Sequence, residues 1–456
     1  MAAELFAKYA AQVARDTLPS SAQHAARRCL IDWFSATLPG GARPPATLLV
    51  EALADELDLG NASLYPSGRR ATVRAAALIN GTAAHAVEFD DIYRDGLYHP
   101  GAPVIAAALA VAQAEHASGE TLLKAIVAGY EVSNRIAEAV NPAHYRYWHT
   151  TGTVGTLGAA AAAGAVLGLH SDRMAHAIGT ATTMAAGLQQ AFRSDAMSKP
   201  LHAGRAAESG VLAALAARRG VTAAAHMLDG ELGFGAAMSE SPDWRAATDD
   251  LGEYYTIAFT TQKNHGCCGH TFAALDAIIA LRNAHELKPS SIRRIRVGTY
   301  AAALEVTGNR HPLTVYEARF SLPYCAAVAL RDGRVRLDAF DAEHLSDHGL
   351  RELMDRVELY LDEEAEKRFP RRRSAQVEIE TNDGEVLAHH ATTRKGDPDD
   401  PLTDDELEDK FLELSVPVLG EGGSRALLEA LSHVEDIGDM RELRNTQTLR
   451  ATAAMR

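Results

Sequence analysis

The densest group of residues that could perform chemistry lies in the segment HAVEFDDIYRDGLYHPGAPV, residues 85–104. This segment holds Glu88, Asp90, Asp91 and His99. Histidine titrates near neutral pH and a neighbouring carboxylate can fix its tautomer, so the combination suits general acid–base catalysis. The alternative is a helix end with solvated acids and a capping histidine. Metal binding is a weaker alternative, because the segment has neither HExxH nor a paired-Asp spacing.

Two further segments could bind an anion. SKPLHAGRAAESG, residues 198–210, brings Lys199 and His202 to the start of an Ala-rich helix, where cations and free N–H groups favour negative charge. HTTGTVGTLGAAAAAG, residues 149–164, begins with His149 and opens another such helix. The alternatives are a solvated basic face for the first segment and close helix packing for the glycines of the second.

A third segment, KNHGCCGHTFAALDA at residues 263–277, mixes cations with cysteines and glycines. Its reactive residues are Lys263, His265, Cys267, Cys268 and His270. Zinc is disfavoured here, because zinc sites usually draw their ligands from two separated pairs. Further on, EARFSLPYCAAVAL places Tyr324 at the start of an apolar helix, where by itself it would be a core tyrosine.

The amino-acid composition of the chain limits the functions and partners that these segments can have. The chain has 456 residues, 47% of them hydrophobic, four cysteines and a formal net charge of −15. This length predicts two domains, and the acidic balance argues against a nucleic-acid or membrane partner. The cysteines are too sparse for a disulfide-stabilised fold, and the first residues do not resemble a signal peptide, so a cytoplasmic location is expected. An acidic protein that binds an anion must concentrate its cations locally.

The elements that position these residues change character along the chain. Ala-rich helical patterns dominate residues 1–260, whereas SIRRIRVGTY at 291–300 alternates like a strand. The run at 374–390 is a predicted hairpin around Asn-Asp-Gly. Helices are predicted at 316–330 and 347–357, and a Thr403 cap after a Pro-rich linker predicts a helical C-terminal tail.

The predicted fold is therefore mostly α. Residues 1–262 with 399–456 are predicted to form a large all-helical domain, and residues 263–398 a smaller α+β lid domain that contains all the strands. The ligand is expected in the cleft between the two domains.

Taken together, the ordered motifs resemble the MmgE/PrpD family. They are HAVEFDD…HP, VGTLGAAAAA, KPLHAGRAAESG, the Lys263 loop leading to AALDA, EARFSLPY and KGDPDDPLTDDELEDKF, and they span nearly the whole chain. That family includes 2-methylcitrate dehydratase, cis-aconitate decarboxylase and iminodisuccinate epimerase. The resemblance implies a helical domain with a smaller lid, a homodimer, a small polycarboxylate as substrate, and neither a metal nor an organic cofactor.

The resemblance also implies site residues. His99 is similar to the family's catalytic histidine, Lys199 and Lys263 to its two cleft lysines, and Tyr324 to its tyrosine. The predicted catalytic set also includes Glu88 and Asp91, one of which is expected to orient His99. The predicted substrate-binding residues are His149, His202 and His270.

Three positions differ from the decarboxylase pattern. Glu88 stands where that pattern has Asp, Ile92 where Thr is frequent, and Cys268 where it has His. The predicted activity is removal of a proton next to a carboxylate by a dehydratase of the 2-methylcitrate dehydratase type. The alternatives are an epimerase of a succinate-like acid, a decarboxylase of the cis-aconitate type, and a non-catalytic dimer that binds a carboxylate.

Overall fold

A computed structural model describes residues 1–192 and 196–444. The chain divides into two compact units. The first, here called the helical unit, comprises Met1–Gln262 and the chain from Thr403 onward, and the second, the mixed unit, comprises Lys263–Leu402. The mostly α fold predicted from the sequence is confirmed. No helix in the described part of the chain combines the length and the apolar character needed to cross a membrane.

The helical unit is built around long Ala-rich helices. Its α-helices are α1 Ala2–Val13, α2 Ser20–Gly41, α3 Ala46–Ala52, α4 Val73–Ala86, α5 Gly101–Ala114, α6 Gly119–Val140, α7 Thr150–Val166, α8 Ser171–Thr182, α9 Ser198–Arg218, α10 Phe234–Met238, α11 Trp244–Thr248 and α19 Asp404–Ser432. Helix α7 lies at the centre: every one of its residues is buried, and it packs on α5, α6, α8 and α9. Because its side chains are Ala, Gly, Thr, Val and Leu, these neighbours can approach closely on all sides.

The last helix begins as the sequence predicted. The Thr403 side chain accepts from the Glu406 N–H, and the Glu406 carboxylate accepts from the Thr403 N–H, which forms a capping box. Helix α19 packs on α2 within the helical unit and bends at Gly420, whose φ is 71°. The predicted helical tail runs to residue 456, of which 445–456 lie outside the described residues.

Close approach of α4 and α9 depends on two glycines. A Cβ at Gly204 would lie 2.2 Å from the Leu78 carbonyl oxygen, and a Cβ at Gly81 would lie 2.9 Å from the Gly204 Cα. Backbone atoms at this distance cannot move aside without shifting a helix.

We therefore expect Gly204→Ala to lower the free energy of unfolding by about 1–3 kcal/mol, despite the higher helix propensity of alanine. Gly422→Ala in α19 is the matched control, since a Cβ there meets no atom within 4 Å. That change should raise stability by up to about 1 kcal/mol. Chemical denaturation measures both, and equal effects of the two substitutions would contradict this account of the α4–α9 contact.

The helical unit departs from the predicted all-helical character in one place. Strands β1 Leu57–Ser63 and β2 Arg70–Ala71 form a small antiparallel sheet, so the expectation that all strands lie in 263–398 is wrong. The connecting turn includes Gly68 at φ 67°, and the pairing is irregular between Leu57 and Ala62. A two-residue strand and a bulged partner give no sustained alternation, which explains why the pattern escaped sequence analysis.

The mixed unit contains a four-stranded sheet in the order β4-β3-β5-β6. The strands are β3 Ile292–Thr299, β4 Val357–Leu361, β5 Ala375–Thr381 and β6 Val386–Ala391. The β3–β4 pair is parallel and the other two are antiparallel. The predicted strand and the predicted hairpin are both confirmed, with Gly384 in the turn at φ 88°.

Helices cover this sheet and complete the core of the mixed unit. They are α12 Phe272–Ala284, α13 Ala301–Thr307, α14 Val315–Arg319, α15 Leu322–Asp332, α16 Ala342–Ser346, α17 His348–Met354 and α18 Glu363–Arg368. Helices α12 and α15 pack on one another, and their buried side chains share one hydrophobic cluster with those of β3, β5 and β6.

Candidate active site in the helical unit

His99 lies in the connection between α4 and α5, one residue before the Pro100 that precedes α5. Its Nδ1 is 2.7 Å from the Asp91 carbonyl oxygen and 3.2 Å from the Asp90 Oδ2. Its backbone N–H donates to the Thr151 hydroxyl at the start of α7. Both neighbours of Nδ1 are acceptors, so the neutral ring carries its proton on Nδ1 and a lone pair on Nε2. That arrangement suits a general base.

The carboxylate beside His99 belongs to Asp90, and a second histidine holds it from the other side. His85 Nδ1 lies 2.7 Å from the same Asp90 Oδ2 that faces His99. Burial would raise the pKa of Asp90, but the two histidines outweigh burial and hold that pKa well below its usual range. His85 was absent from the predicted site, and Asp90 was noticed only as part of the acidic cluster. The signal available in the sequence was the position of His85, five residues before Asp90.

Asp91 takes a different role from the predicted one. Its carboxylate accepts from the Gly101 N–H at 3.0 Å and from the Tyr130 hydroxyl at 2.6 Å, so it caps α5 and ties this helix to α6. Burial, with the nearby Asp32 charge, raises the pKa of Asp91 to about 8. Asp91 therefore contributes its backbone carbonyl, rather than its carboxylate, to the orientation of His99.

Glu88 forms a buried ion pair with Lys199, the second residue of α9. The Lys199 ammonium also lies 5.1 Å from the centre of the Phe192 ring. Glu88 adopts φ 57°, a left-handed conformation that a residue with a long side chain seldom takes. Such backbone strain is concentrated at functional sites, and here it belongs to the residue whose carboxylate meets the lysine.

Two more predicted histidines complete the cluster. The Nδ1 atoms of His149 and His202 are 3.0 Å apart, so one donates and the other accepts. The His149 ring stacks on the His85 ring at 5.4 Å and meets the Phe192 ring edge-on at 4.6 Å. Of the predicted site residues, the structure thus gathers His99, His149, Lys199, His202 and Glu88 around one place, through contacts that run by way of His85, Asp90 and Phe192.

Two histidines of this cluster, His149 and His202, stay uncharged near neutral pH. Burial, followed by the charges of neighbouring histidines and Lys199, holds the pKa of His149 well below its usual range. Burial, then His85 and Lys199, lowers the pKa of His202 to about 4. Uncharged imidazoles around Lys199 leave its ammonium as the cation an anionic ligand would meet.

Buried neutral histidines make the helical unit sensitive to acid. His144 and His149 are buried, and their folded pKa values lie below the unfolded value near 6.5. Between those values the unfolded chain binds more protons, so stability is lost as pH falls below about 6.5. We expect up to about 1.4 kcal/mol per pH unit for each such histidine, seen as a falling Tm between pH 7 and pH 5. His144→Gln should reduce that slope, and an unchanged slope would contradict the assignment.

Behind the acidic segment lies a buried ion pair that sequence analysis missed. The Lys410 ammonium of α19 donates to Asp32 of α2 at 2.6 Å and to the Phe89 carbonyl at 3.2 Å. It therefore anchors the backbone between Glu88 and Asp90. The lysine belongs to the TDDELEDKF motif, from which the sequence predicted the Thr403 cap and the family resemblance but no role for Lys410.

The predicted residues of the mixed unit have their own surroundings. Lys263 is buried. His270 Nδ1 lies 2.8 Å from the Tyr300 hydroxyl, and burial, with Arg373 and Arg394, lowers its pKa to about 3. The roles of Lys263 in catalysis and of His270 in binding stay predictions.

Tyr324 lies within the core of the mixed unit. Its hydroxyl donates to the Ala339 carbonyl at 2.6 Å, and its ring packs near Phe340. Burial raises the pKa of this hydroxyl. Its role as a proton donor stays a prediction, and such a role would require the hydroxyl to leave that carbonyl.

Potential metal ligands converge at one place among the described residues. Ligand atoms of His85, Asp90 and His99 all lie within 4.8 Å of one another. In the 263–277 segment, by contrast, His265 meets Asp276 at 2.9 Å and the Cys267 sulfur meets the Thr271 hydroxyl at 3.2 Å. The geometry that could hold an ion thus lies at the acid–base histidine rather than at the cysteines.

Comparison with known proteins identifies the family. The MmgE/PrpD N-terminal domain matches residues 4–247, and the MmgE/PrpD C-terminal domain matches residues 265–436. The chain is 28% identical to the cis-aconitate decarboxylase-like protein oryM of Aspergillus oryzae over 452 residues, which cover 93% of each chain. It is 30% identical to human cis-aconitate decarboxylase over 378 residues, covering 80% of this chain and 77% of the human protein. It is 25% identical to cis-aconitate decarboxylase of Aspergillus terreus over 464 residues, covering 96% of this chain and 94% of the Aspergillus terreus protein. With both family domains matched in order along nearly its whole length, the chain belongs to the MmgE/PrpD family.

Proposed function

We propose that this protein is a lyase that acts on a small polycarboxylic acid by moving a proton between His99 and a carbon next to a carboxylate. The observation that carries the proposal is the pair of acceptors on His99 Nδ1, which leaves Nε2 with a lone pair. The relatives support it as well, since their names describe a lyase of a tricarboxylic acid.

A proton on such a carbon is weakly acidic, so its removal needs both a base and a cation. His99 Nε2 takes the proton, and the electron pair moves onto the neighbouring carboxylate. Lys199, held among uncharged histidines, stabilises the charge that develops there. Glu88 balances the ammonium charge before the substrate arrives, which offsets the cost of burying that charge.

Dehydration completes the reaction if the next carbon bears a hydroxyl group. The electron pair returns to form a carbon–carbon double bond, and the hydroxide leaves, takes up a proton and departs as water. Tyr324 stays the predicted donor of that proton. This dehydratase is the activity we propose, because Glu88, Ile92 and Cys268 depart from the decarboxylase pattern.

Decarboxylation is the second candidate, and the names of the relatives favour it over epimerisation. In that reaction the order of events is reversed: a protonated His99 donates its Nε2 proton to an unsaturated carbon, and a carboxylate then leaves as CO₂. The Asp90 carboxylate would stabilise the imidazolium that this reaction requires. A homodimer and a cytoplasmic location also stay predictions.

The experiment that tests the proposal is a substrate screen followed by NMR in deuterated buffer with a chelator present. Citrate, methylcitrate, tartrate, cis-aconitate and iminodisuccinate are the compounds to test. We expect one of them to lose water, with deuterium exchange at the carbon beside a carboxylate. Release of CO₂ would favour the second candidate. Inversion of a stereocentre without loss of atoms would identify an epimerase, and binding without exchange would contradict the proposal altogether.

The pH dependence of the rate separates the two lyase reactions. A dehydratase needs His99 unprotonated, so kcat/KM should fall as the pH is lowered and the ring takes up a proton. A decarboxylase that protonates carbon needs His99 charged, so kcat/KM should fall as the pH is raised and the ring loses its proton. We expect the first behaviour, measured between pH 5 and pH 9 on the substrate found in the screen. An acid-favoured profile would overturn the assignment of His99 as the initial base.

A further inference from the structure

The Asp90 carboxylate lies between two imidazoles that differ in exposure. The His99 side chain keeps 18% of its surface exposed, whereas the His85 side chain is completely buried. Their ring centres are 4.9 Å apart and nearly edge-to-face. The Nδ1 atoms of both rings face the same oxygen, Asp90 Oδ2. One carboxylate oxygen therefore orients two histidines, of which only His99 is reached by solvent.

His85 is completely buried, and its position is fixed by contacts within the helical unit. It occupies the next-to-last position of α4, and its ring stacks on His149 at the start of α7. Its Nδ1 donates to Asp90, and its Nε2 has no hydrogen-bond partner among residues 1–192 and 196–444. A buried nitrogen without a hydrogen bond destabilises the folded protein, so such a nitrogen in a native structure calls for an explanation. In His85 the explanation is the interaction made by the other ring nitrogen. That interaction is the contact with Asp90.

We propose that His85 and Asp90 are a positioning pair for His99: His85 fixes the rotation of the Asp90 carboxylate, and Asp90, together with the Asp91 carbonyl, fixes the Nδ1–H tautomer of His99. The proposal rests on the proposed function of His99 as the group that moves the proton. During the reaction a proton passes between the substrate carbon and His99 Nε2. The Nδ1 proton stays on His99, and Asp90 stays ionised and balances the positive charge of the ring.

His85 acts on Asp90 through one hydrogen-bond donor, its Nδ1–H, so two substitutions that keep or remove this donor can be compared. Asparagine places its side-chain nitrogen close to where histidine has Nδ1, whereas phenylalanine keeps the ring and removes the donor. We expect His85→Phe to lower kcat by about 10-fold or more with KM within about twofold, and His85→Asn to stay within about threefold of wild type. Asp90→Asn should lower kcat on the order of 10²-fold, because it removes the charge opposite the imidazolium. A purely structural role would not discriminate Asn from Phe in this way.

A spectroscopic measurement tests the pair without any substrate. Nitrogen-15 spectra of histidine-labelled protein report which ring nitrogen bears the proton, and His99→Gln identifies the His99 signals among those of 19 histidines. We expect His99 of the wild type to carry its proton on Nδ1 at neutral pH. His85→Phe should increase the fraction protonated on Nε2. Wild-type His99 protonated mainly on Nε2 would overturn the proposal, even if the His85 variants failed to fold.

The outcomes of these experiments also distinguish a failure of the positioning pair from a failure of the proposed function of His99, and both from a metal site. If His99→Gln keeps normal turnover while the tautomer is as expected, the proposed function fails and the positioning geometry stands. If His99→Gln abolishes turnover but His85→Phe changes neither kcat nor the tautomer, the positioning pair fails alone. Stoichiometric zinc in the purified protein that is lost in Asp90→Asn would also overturn it, because His85, Asp90 and His99 would then be ligands.

Discussion

Replacing His99 with glutamine is expected to lower kcat by about 10³-fold and to change KM only a few-fold. Glutamine is similar in length, but its amide cannot accept or release a proton near neutral pH. In the wild-type protein the Asp91 carbonyl and the Asp90 carboxylate direct His99 Nδ1 and thereby set Nε2 as the reactive atom. Because the substitution removes the proton transfer and little binding, the loss should fall on kcat. Steady-state kinetics on the substrate identified by the screen measures both parameters.

The control for this substitution is His433→Gln near the C-terminal end of α19. That side chain is 63% exposed and contacts Glu429 at 3.6 Å, so the change should leave kcat and Tm unaltered. Far-UV circular dichroism should show the same helix content in both variants. Wild-type turnover by His99→Gln would mean that another group moves the proton, and the proposed mechanism would then be wrong even though the family assignment stands.

Replacing Lys199 with methionine should lower kcat/KM by on the order of 10²-fold or more. Methionine keeps much of the length and the apolar stem of lysine but removes the ammonium. That ammonium lies among His149 and His202, whose low pKa values keep them neutral at pH 7, so few other cations can replace it. The loss in kcat/KM should be larger for substrates with more carboxylates, because a more negatively charged substrate depends more on the positive charge of Lys199. Rates for di- and tricarboxylates, compared between wild type and Lys199→Met, measure this dependence.

Stability must be separated from chemistry in this variant. Removing Lys199 alone leaves the Glu88 carboxylate buried without its cation, a change that costs about 3–5 kcal/mol in buried pairs. The double variant Glu88→Gln/Lys199→Met removes both charges and should recover most of the lost Tm. It should not recover activity, since the ammonium is still absent. Recovery of both Tm and activity would show that Lys199 serves stability alone.

Local sequence patterns were sufficient for much of the fold. The periodicity of the Ala-rich stretches predicted the buried helices, because a helix with small residues on every side can only be a packed internal helix. The Asn-Asp-Gly turn at 382–384 and the Thr403 cap were likewise local, since each depends on residues within a few positions along the chain. The β1–β2 hairpin was missed because its pairing depends on contacts with α4 and α5 rather than on its own alternation.

For the site, the sequence determined which residue types were present and roughly where they cluster. It could not decide which carboxylate faces His99, because Asp90 and Asp91 are adjacent and their directions depend on the local backbone. Just before these two residues, Glu88 has a left-handed backbone conformation. The carbonyl of the next residue, Phe89, accepts a hydrogen bond from Lys410, which lies 321 residues further along the chain. Likewise, His149 and His202 are 53 residues apart in sequence yet touch through their Nδ1 atoms. Residue identity and short-range pattern thus fixed the helices and the candidate acid–base groups. The partner of each group was decided by tertiary packing, because side-chain direction in a non-helical connection depends on the elements that enclose it.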